Sequence, residues 1–390
     1  MRHPPSLPST DGAFHVLSAL FGLIWPGLIR DEGTSFVMKI LYHIQNIDNM
    51  YAGRYISLGY RDAFIDRGHS FEFATNQENI SKKISQNVPD LFITSSHSVF
   101  TDRINFSELN QFRSTGLCVA AQVDRLEFRD DHGHSLGRRP EIIEMIRSDR
   151  FADIYFNYYQ PESMVDFELV TGQRHHTVLL ASNRLHHYPQ DVDPAWRSDA
   201  VFIGANLPRK RATFRLLLAP LMNRYQVRVF GPDWTYRDQV VGFVQRVSQY
   251  FNLRLFDRIR SPMLTLDEER KMYASSKIGL NIHEYQQRRD GGDFNERTLK
   301  ILACGTFELC DYIDVIRKYF SPDELVMARD DDWIKVFEYY LQNESERKAV
   351  QERGTRKVLA EHTYHNRVEQ FEQLWDQWRA RRLNAVPKDQ

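Results

Sequence analysis

Between Arg288 and Gly305 the chain reads RRDGGDFNERTLKILACG, which sets three arginines and two glycines at the start of an apolar helix pattern. Asn295 is the natural N-cap, so the main-chain N–H groups of Glu296, Arg297 and Thr298 are available to an outside acceptor. Gly291 and Gly292 let the preceding loop take conformations closed to other residues. Arg297 has the planar fork that grips a phosphate through two hydrogen bonds. Leu299 to Cys304 must pack on a sheet, and Gly305 ends the helix. An ordinary capped helix behind a loose loop accounts for Asn295 and Gly305. It does not account for Arg288, Arg289 and Arg297 at one end, where cations oppose the helix dipole unless an anion or an acidic partner sits among them.

A second anion-friendly turn lies earlier. The strand-like run Ala200–Ile203 ends in Gly204 and continues ANLPRKR to Arg211. Gly204 permits close backbone approach, and Arg209, Lys210 and Arg211 bring positive charge to a helix start. Three basic residues are also the usual make-up of a solvated helix start. No GxGxxG follows the first strand and no GxxxxGK[ST] occurs anywhere, so dinucleotide redox chemistry and P-loop hydrolysis both lose support.

These turns need strands to hold them. Strand-like runs fall at Ile40–Ile44, Phe71–Ala74, Leu91–Thr94, Leu117–Gln122, Asp153–Asn157 and Thr177–Leu180, with helix patterns between them at Tyr55–Arg67, Phe106–Arg113 and Glu141–Arg150. The proline-bearing stretch 186–199 breaks the rhythm and reads as a linker. Alternation restarts with Ala200–Ile203, a helix over Arg211–Asn223, Gln226–Phe230, Lys277–Ile282, a helix from about Asn295, Phe307–Leu309 and Leu325–Ala328. Two α/β units with parallel, Rossmann-like sheets follow from this order. Val368, Phe371, Leu374, Trp375 and Trp378 recur at helical spacing near the end, the mark of a helix packed on a core.

The whole-chain numbers fit. At 390 residues the chain exceeds one compact core. Its 42% hydrophobic and 26% charged residues suit a globular protein, and a net charge of −1 gathers neither nucleic acid nor anionic membrane. Cys118, Cys304 and Cys310 lack metal-ligand spacing and sit in apolar runs, as expected of buried thiols in a reduced, cytoplasmic chain. Residues 1–37 read as a loosely attached extension before the strand in MKILYHIQ. Its apolar run Phe14–Ile29 is short for a membrane span and is interrupted by Pro26, with a weak membrane-surface anchor as the alternative.

Three ordered blocks, SSKIGLNIHEY, NERTLKILACGTFELCDY and LVMARDDDWIKVFEYYLQNESERKAVQERGTRKVLAEHTYHNRV, resemble the C-terminal domain of the CgeB-like (spore-maturation-protein-B-like) glycosyltransferases of the group-1 superfamily. The likeness is strong over 201–368 and weaker over 38–189. It implies a GT-B fold: an N-terminal acceptor domain (38–185), a linker (186–199), a C-terminal nucleotide-sugar domain (200–363) and a bridging helix (364–384) around a central cleft. It also implies a nucleotide-sugar co-substrate, with no resident cofactor and no metal. Gly204 and Arg209 match the family's first C-domain loop, Asn281 the strand end before the glycine loop, and Asn295, Arg297 and Thr298 the helix start; Lys210 joins the donor site on its charge, and Glu296 as a stand-in for the family's Glu. Gly231 and Trp234, in VFGPDW, would flank the base or simply pack. One position departs. Where relatives carry a ribose-holding Glu, four residues before the Cys of the ACG turn, this chain has Lys300; Asp293 stands seven residues earlier, and Glu296 one turn earlier.

The catalytic candidates are His97, in ITSSHSVF, and Asp124, in AAQVDRLEF, each placed just after a strand. Asp124 could take a proton from an acceptor hydroxyl; each has the plain alternative of a structural loop residue. His186 and His187 suit a hinge as well as chemistry. The expectation is a metal-independent glycosyltransferase acting on a glycan, lipid-linked or protein acceptor in surface polysaccharide, glycolipid or glycoprotein synthesis, with peripheral membrane association open and no nucleic-acid partner. The alternatives are a degenerate GT-B domain that binds a glycan or protein, and an enzyme glycosylating modified DNA bases.

Overall fold

The computed structural model describes residues 37–46, 52–127, 135–250 and 264–385; nearly all of the expected 1–37 extension lies outside them. The N-terminal sheet has six parallel strands: β1 (Lys39–Ile44), β2 (Ser70–Thr75), β3 (Leu91–Ser95), β4 (Cys118–Gln122), β5 (Ile154–Asn157) and β6 (His175–Thr177), in the order β2-β1-β3-β4-β5-β6. The C-terminal sheet has five: β7 (Ser198–Ile203), β8 (Val227–Phe230), β9 (Ser276–Asn281), β10 (Phe307–Asp311) and β11 (Val326–Ala328), in the order β11-β10-β9-β7-β8. The central strands are apolar on both faces because helices cover both. Every residue of LFIT in β3 and of CVAA in β4 is buried.

In each sheet the first strand has its successors on both sides, β1 between β2 and β3, and β7 between β8 and β9. A crevice opens at such a reversal, outside the carboxyl ends of the strands.

Each expected strand is found within a few residues, with one shift. The run Thr177–Leu180 is a strand only up to Thr177. Val178 still bonds to Asn157 of β5, but Leu179 is buried against Phe294 and Leu299 of the other half, so the chain leaves the sheet to cross over. The expected helix 211–223 is two helices, Arg211–Leu217 and Ala219–Met222, with Pro220 near the start of the second. The helices Tyr236–Tyr250 and Leu266–Ala274 were not anticipated. The latter opens on a complete capping box, Thr265 with Glu268.

The helix Tyr364–Ala385 returns to the N-terminal sheet, burying Val368, Phe371, Trp375 and Trp378 against Ile40, Phe64, Ile93 and Phe156. Where it returns, the two crossing segments bond to each other: Ser182 N–H donates to His362 O at 3.0 Å, and Tyr364 N–H to Ser182 O at 2.9 Å.

Candidate active site

The crevice of the C-terminal sheet is organised by Arg297. Its Nε donates to Ile203 O at 2.7 Å, at the end of β7. Its NH1 donates to Asn281 Oδ1 at 3.0 Å and approaches Ile282 O at 3.4 Å, at the end of β9. One guanidinium therefore spans the strands that flank the reversal point, stacked 4.9 Å over the Phe202 ring. Gly204 makes room for it, since a Cβ there would lie 2.6 Å from Arg297 NH2. Gly231, at φ +133°, does the same one loop away: a Cβ would lie 2.2 Å from Gly204 O, the carbonyl that accepts from Trp234 Nε1 at 2.7 Å. Trp234 is half-buried and packs on Phe202 and Phe214.

The helix that carries Arg297, Glu296–Ala303, is capped as its sequence indicates: Asn295 Oδ1 accepts from Arg297 N–H at 3.1 Å. Asn281 ties the cap to the sheet. Its Oδ1 also accepts from Asn295 Nδ2 at 3.0 Å, and its Nδ2 lies 2.8 Å from Thr298 Oγ1. Thr298 is fully buried and thus a support of the cap. Lys210 is buried nearby with Nζ 3.5 Å from Glu284 Oε1. Burial, with Arg297 beside it, pulls its ammonium down to about 8. Arg209, on the same turn, is exposed. Gly204, Lys210, Asn281, Asn295 and Arg297 thus converge.

The crowd of cations at this helix start is now accounted for. Arg288 pairs with Asp330 and lies 3.3 Å from Asp311, and Arg289 pairs with Asp290 at 2.6 Å. Arg297 is held by neutral oxygens alone among its described contacts, so its charge is not spent on a carboxylate.

Lys300 points elsewhere. Its Nζ lies 2.8 Å from Glu296 Oε1, 3.5 Å from Glu269 Oε1 and 3.8 Å from the centre of the Tyr55 ring on the N-terminal half. Burial opposes the charge, but the two glutamates hold Lys300 above its ordinary value. Glu269, which also meets His187 at 3.4 Å, is held down to about 2 against its own burial. Position 300, with Glu296, therefore belongs to a buried ionic knot between the halves.

Across the cleft, Asp124 follows β4 and Asn157 Nδ2 approaches it at 3.4 Å. Asp293 is buried, accepts from Gln287 Nε2 at 2.8 Å, and has its carboxyl raised above the ordinary range by burial. Both carboxylates bear on Tyr158 and Tyr159, so the structure brings the two halves' acids to one aromatic pair. Arg125 lies 4.8 Å over the Tyr159 ring and bonds Asp290 at 3.2 Å, closing the cleft. His97 is the N-cap of the helix Ser98–Thr101, its Nδ1 accepting from Val99 N–H at 3.2 Å. His186 bonds Asp62 at 3.1 Å.

Sequence reasoning missed the pair His283 and Asp311 at the ends of β9 and β10, bonded at 2.6 Å and fully buried. The histidine in NIHEY was the one signal. Cys310 adjoins them, and ligand atoms of the three lie within 4.8 Å. The Asp311 carboxylate is already taken by the His283 main-chain N–H, the His283 ring and Arg288, while His283 Nε2 is buried with no hydrogen-bond partner among the described residues.

Residues 209–373 match a family described as glycosyl transferase-like. No curated protein matches the chain. Among solved structures, sucrose-phosphate synthase from Thermosynechococcus elongatus superposes with a TM-score of 0.58 at 12% identity, covering 88% of this chain and 100% of that one. Anabaena HepE in complex with UDP-glucose gives 0.54 at 13%, covering 90% and 100%. An alpha-glucosyltransferase in complex with UDP-glucose and DNA containing an abasic site gives 0.56 at 14%, covering 87% and 100%. The chain has the GT-B fold. The matched domain is glycosyl transferase-like, and the superposed structures share the fold. Among the described residues no helix is long and apolar enough to cross a membrane.

Proposed function

We propose that the protein transfers a sugar from a nucleotide-sugar, bound at the carboxyl ends of β7 and β9, to an acceptor hydroxyl presented by the N-terminal half, as the CgeB-like resemblance implies. The observation that carries this reading is Arg297: a guanidinium fixed across the reversal point of the sheet and, among the described residues, ion-paired with no carboxylate. In the transfer, the acceptor oxygen bonds to the anomeric carbon as the bond from that carbon to the phosphate oxygen breaks. Negative charge grows on the leaving diphosphate, and Arg297 with Lys210 neutralises it. Asp124 is the candidate to receive the acceptor proton, while His97 serves as a cap. Calorimetry with UDP-, GDP-, dTDP- and CMP-sugars tests the reading. Saturable binding of at least one, lost in Arg297→Ala, is expected; a chain that binds none is not a transferase of this kind.

The buried knot at Lys300 favours a second reading, in which the C-terminal half has lost donor binding and the fold holds a glycan or protein. Lys300→Glu does not separate the two, because it would bury three carboxylates together. Donor binding by the wild-type chain does. For the DNA-acting alternative, a salt-dependent binding assay with duplex DNA decides.

A further inference from the structure

Glu308 stands in β10 between Phe307 and Leu309 and is 1% exposed. An ionised carboxylate is costly in such a place. Burial pushes this one up to about 8, so it is protonated at neutral pH. Its Oε1 lies 2.9 Å from Asn281 Nδ2, and Thr298 bonds it as well. Its Oε2 is buried with no hydrogen-bond partner. Asn281 passes the contact on: its Oδ1 accepts from Arg297 NH1 at 3.0 Å and from the capping Asn295 at 3.0 Å. Glu308, Asn281 and Arg297 thus form a chain from the core of the sheet to its carboxyl edge. The other described hydrogen bonds of the Arg297 guanidinium go to main-chain carbonyls.

We propose that Glu308 is a positioning residue of the donor site: through Asn281 its carboxyl fixes the plane of the Arg297 guanidinium, and its protonation state sets how much of that charge an incoming phosphate meets. The inference rests on reading Arg297 as a contact of the donor diphosphate. As a neutral acid, Glu308 anchors Asn281 and leaves the Arg297 charge intact. As an anion, it is a buried counter-ion that competes with the phosphate. A diphosphate at Arg297 therefore draws a proton onto Glu308, and its affinity falls as pH rises past 8.

The groups that face Glu308 are Asn281 on β9, Thr298 and Arg297 on the helix Glu296–Ala303, Asp311 and Cys310 on its own strand, and Tyr273 on the helix Leu266–Ala274. Lys210, also drawn to about 8, loses its charge in the same window and weakens phosphate binding in the same direction. The test therefore fixes that charge with arginine.

UDP, GDP, dTDP and ADP are first titrated into the full wild-type chain. The tightest of them is then titrated into the K210R and K210R/E308Q chains from pH 6.5 to 9.5, in two buffers of different ionisation heat. K210R is expected to take up a fraction of a proton on binding at pH 8 and to lose affinity above it by up to about tenfold per pH unit. K210R/E308Q should take up less and show a flatter profile, and at pH 6.5 it should bind within about threefold of K210R because the amide still reaches Asn281. E308L should bind at least about tenfold more weakly than wild type with its melting temperature held or raised, which a merely structural role would not produce; if E308L does not fold, the glutamine pair carries the result. Identical proton uptake and pH profiles in the K210R and K210R/E308Q chains overturn the inference alone. Failure of the wild-type chain to bind any nucleoside diphosphate overturns the donor reading, and the inference with it.

Discussion

Arg297 is held as a flat plate, with three of its edges accounted for. Nε and NH1 meet the ends of β7 and β9, one face lies on Phe202, and NH2 lies beside Gly204. A lysine cannot reproduce this, because a single ammonium has no plane and cannot bridge both strands while also meeting a phosphate. Arg297→Lys is expected to weaken nucleotide-sugar binding at least about tenfold, or about 1.4 kcal/mol, by calorimetry with the fold intact. Lys300 predicts the opposite pattern. Its charge neutralises Glu296 and Glu269 in a buried knot, so Lys300→Glu should cost about 3–5 kcal/mol in denaturant unfolding. If that substitution left stability untouched, the knot would not be the reason lysine stands there.

The two elements that matter most are helices with different tasks. The helix Glu296–Ala303 is short, and every residue from Thr298 to Ala303 is buried, so its N-terminus is pinned by packing and by the Asn295 cap. The helix Tyr364–Ala385 is a strap. Glu372 accepts two hydrogen bonds from Arg67, at 2.8 and 2.6 Å, and lies 2.7 Å from His69 Nε2, clamping the helix to the N-terminal sheet. Burial opposes the charge, yet His69 and Arg67 hold the Glu372 carboxyl down to about 2. A carboxyl whose folded pKa is depressed adds stability that is fully present above its ordinary value, near 4.5, and is lost as pH falls toward 2. Melting temperature followed from pH 6 to pH 2 should drop more steeply for the wild-type chain than for Glu372→Gln, with the two curves converging at the acid end. Parallel curves would mean that the clamp contributes nothing.

Over the whole molecule, the halves meet through polar contacts as well as the buried Lys300 knot and Leu179: Arg125 with Asp290 at 3.2 Å, Tyr319 with Gln160 at 2.9 Å, and the exposed Lys318 with Glu162 at 3.1 Å. Exposed ion pairs such as the last are weak and do not by themselves prevent relative motion. The stretch 186–199 was expected to be the hinge. It is fastened to the C-terminal half by His187 to Glu269, Arg270 to Gln190 at 2.6 Å and Asp193 to Ser275 at 3.0 Å. Its start also meets the N-terminal half, through His186 to Asp62 at 3.1 Å, and the two crossing segments bond to each other at Ser182 and Thr363. Gly292 faces Ser163 across the cleft so closely that a Cβ would lie 2.7 Å from its Oγ. Gly292→Leu should hold the halves apart, raising the radius of gyration in solution scattering and lowering turnover without lowering the melting temperature. An unchanged scattering curve would count against closure at this seam.

The alternation of strand and helix, the parallel sheets, the capped helix at Asn295 and the buried stripe of the terminal helix were all legible in the residues, because periodicity and capping are local properties of a chain. Gly204 and Arg297 were also legible as residues set at a strand end and a helix start. Tertiary structure decided the rest. It paired Arg288 and Arg289 with acids and held Arg297 on neutral oxygens. It turned Lys300 into a buried counter-ion, put Trp234 into packing, brought Asp124 and Asp293 to one pair of tyrosines, and set Glu308 beneath Asn281. Apart from Arg289 with Asp290 and Lys300 with Glu296, these join residues between about 15 and 170 positions apart. A side chain's charge and reach can be read from its type, but the partner that spends that charge is fixed only when distant strands are laid side by side.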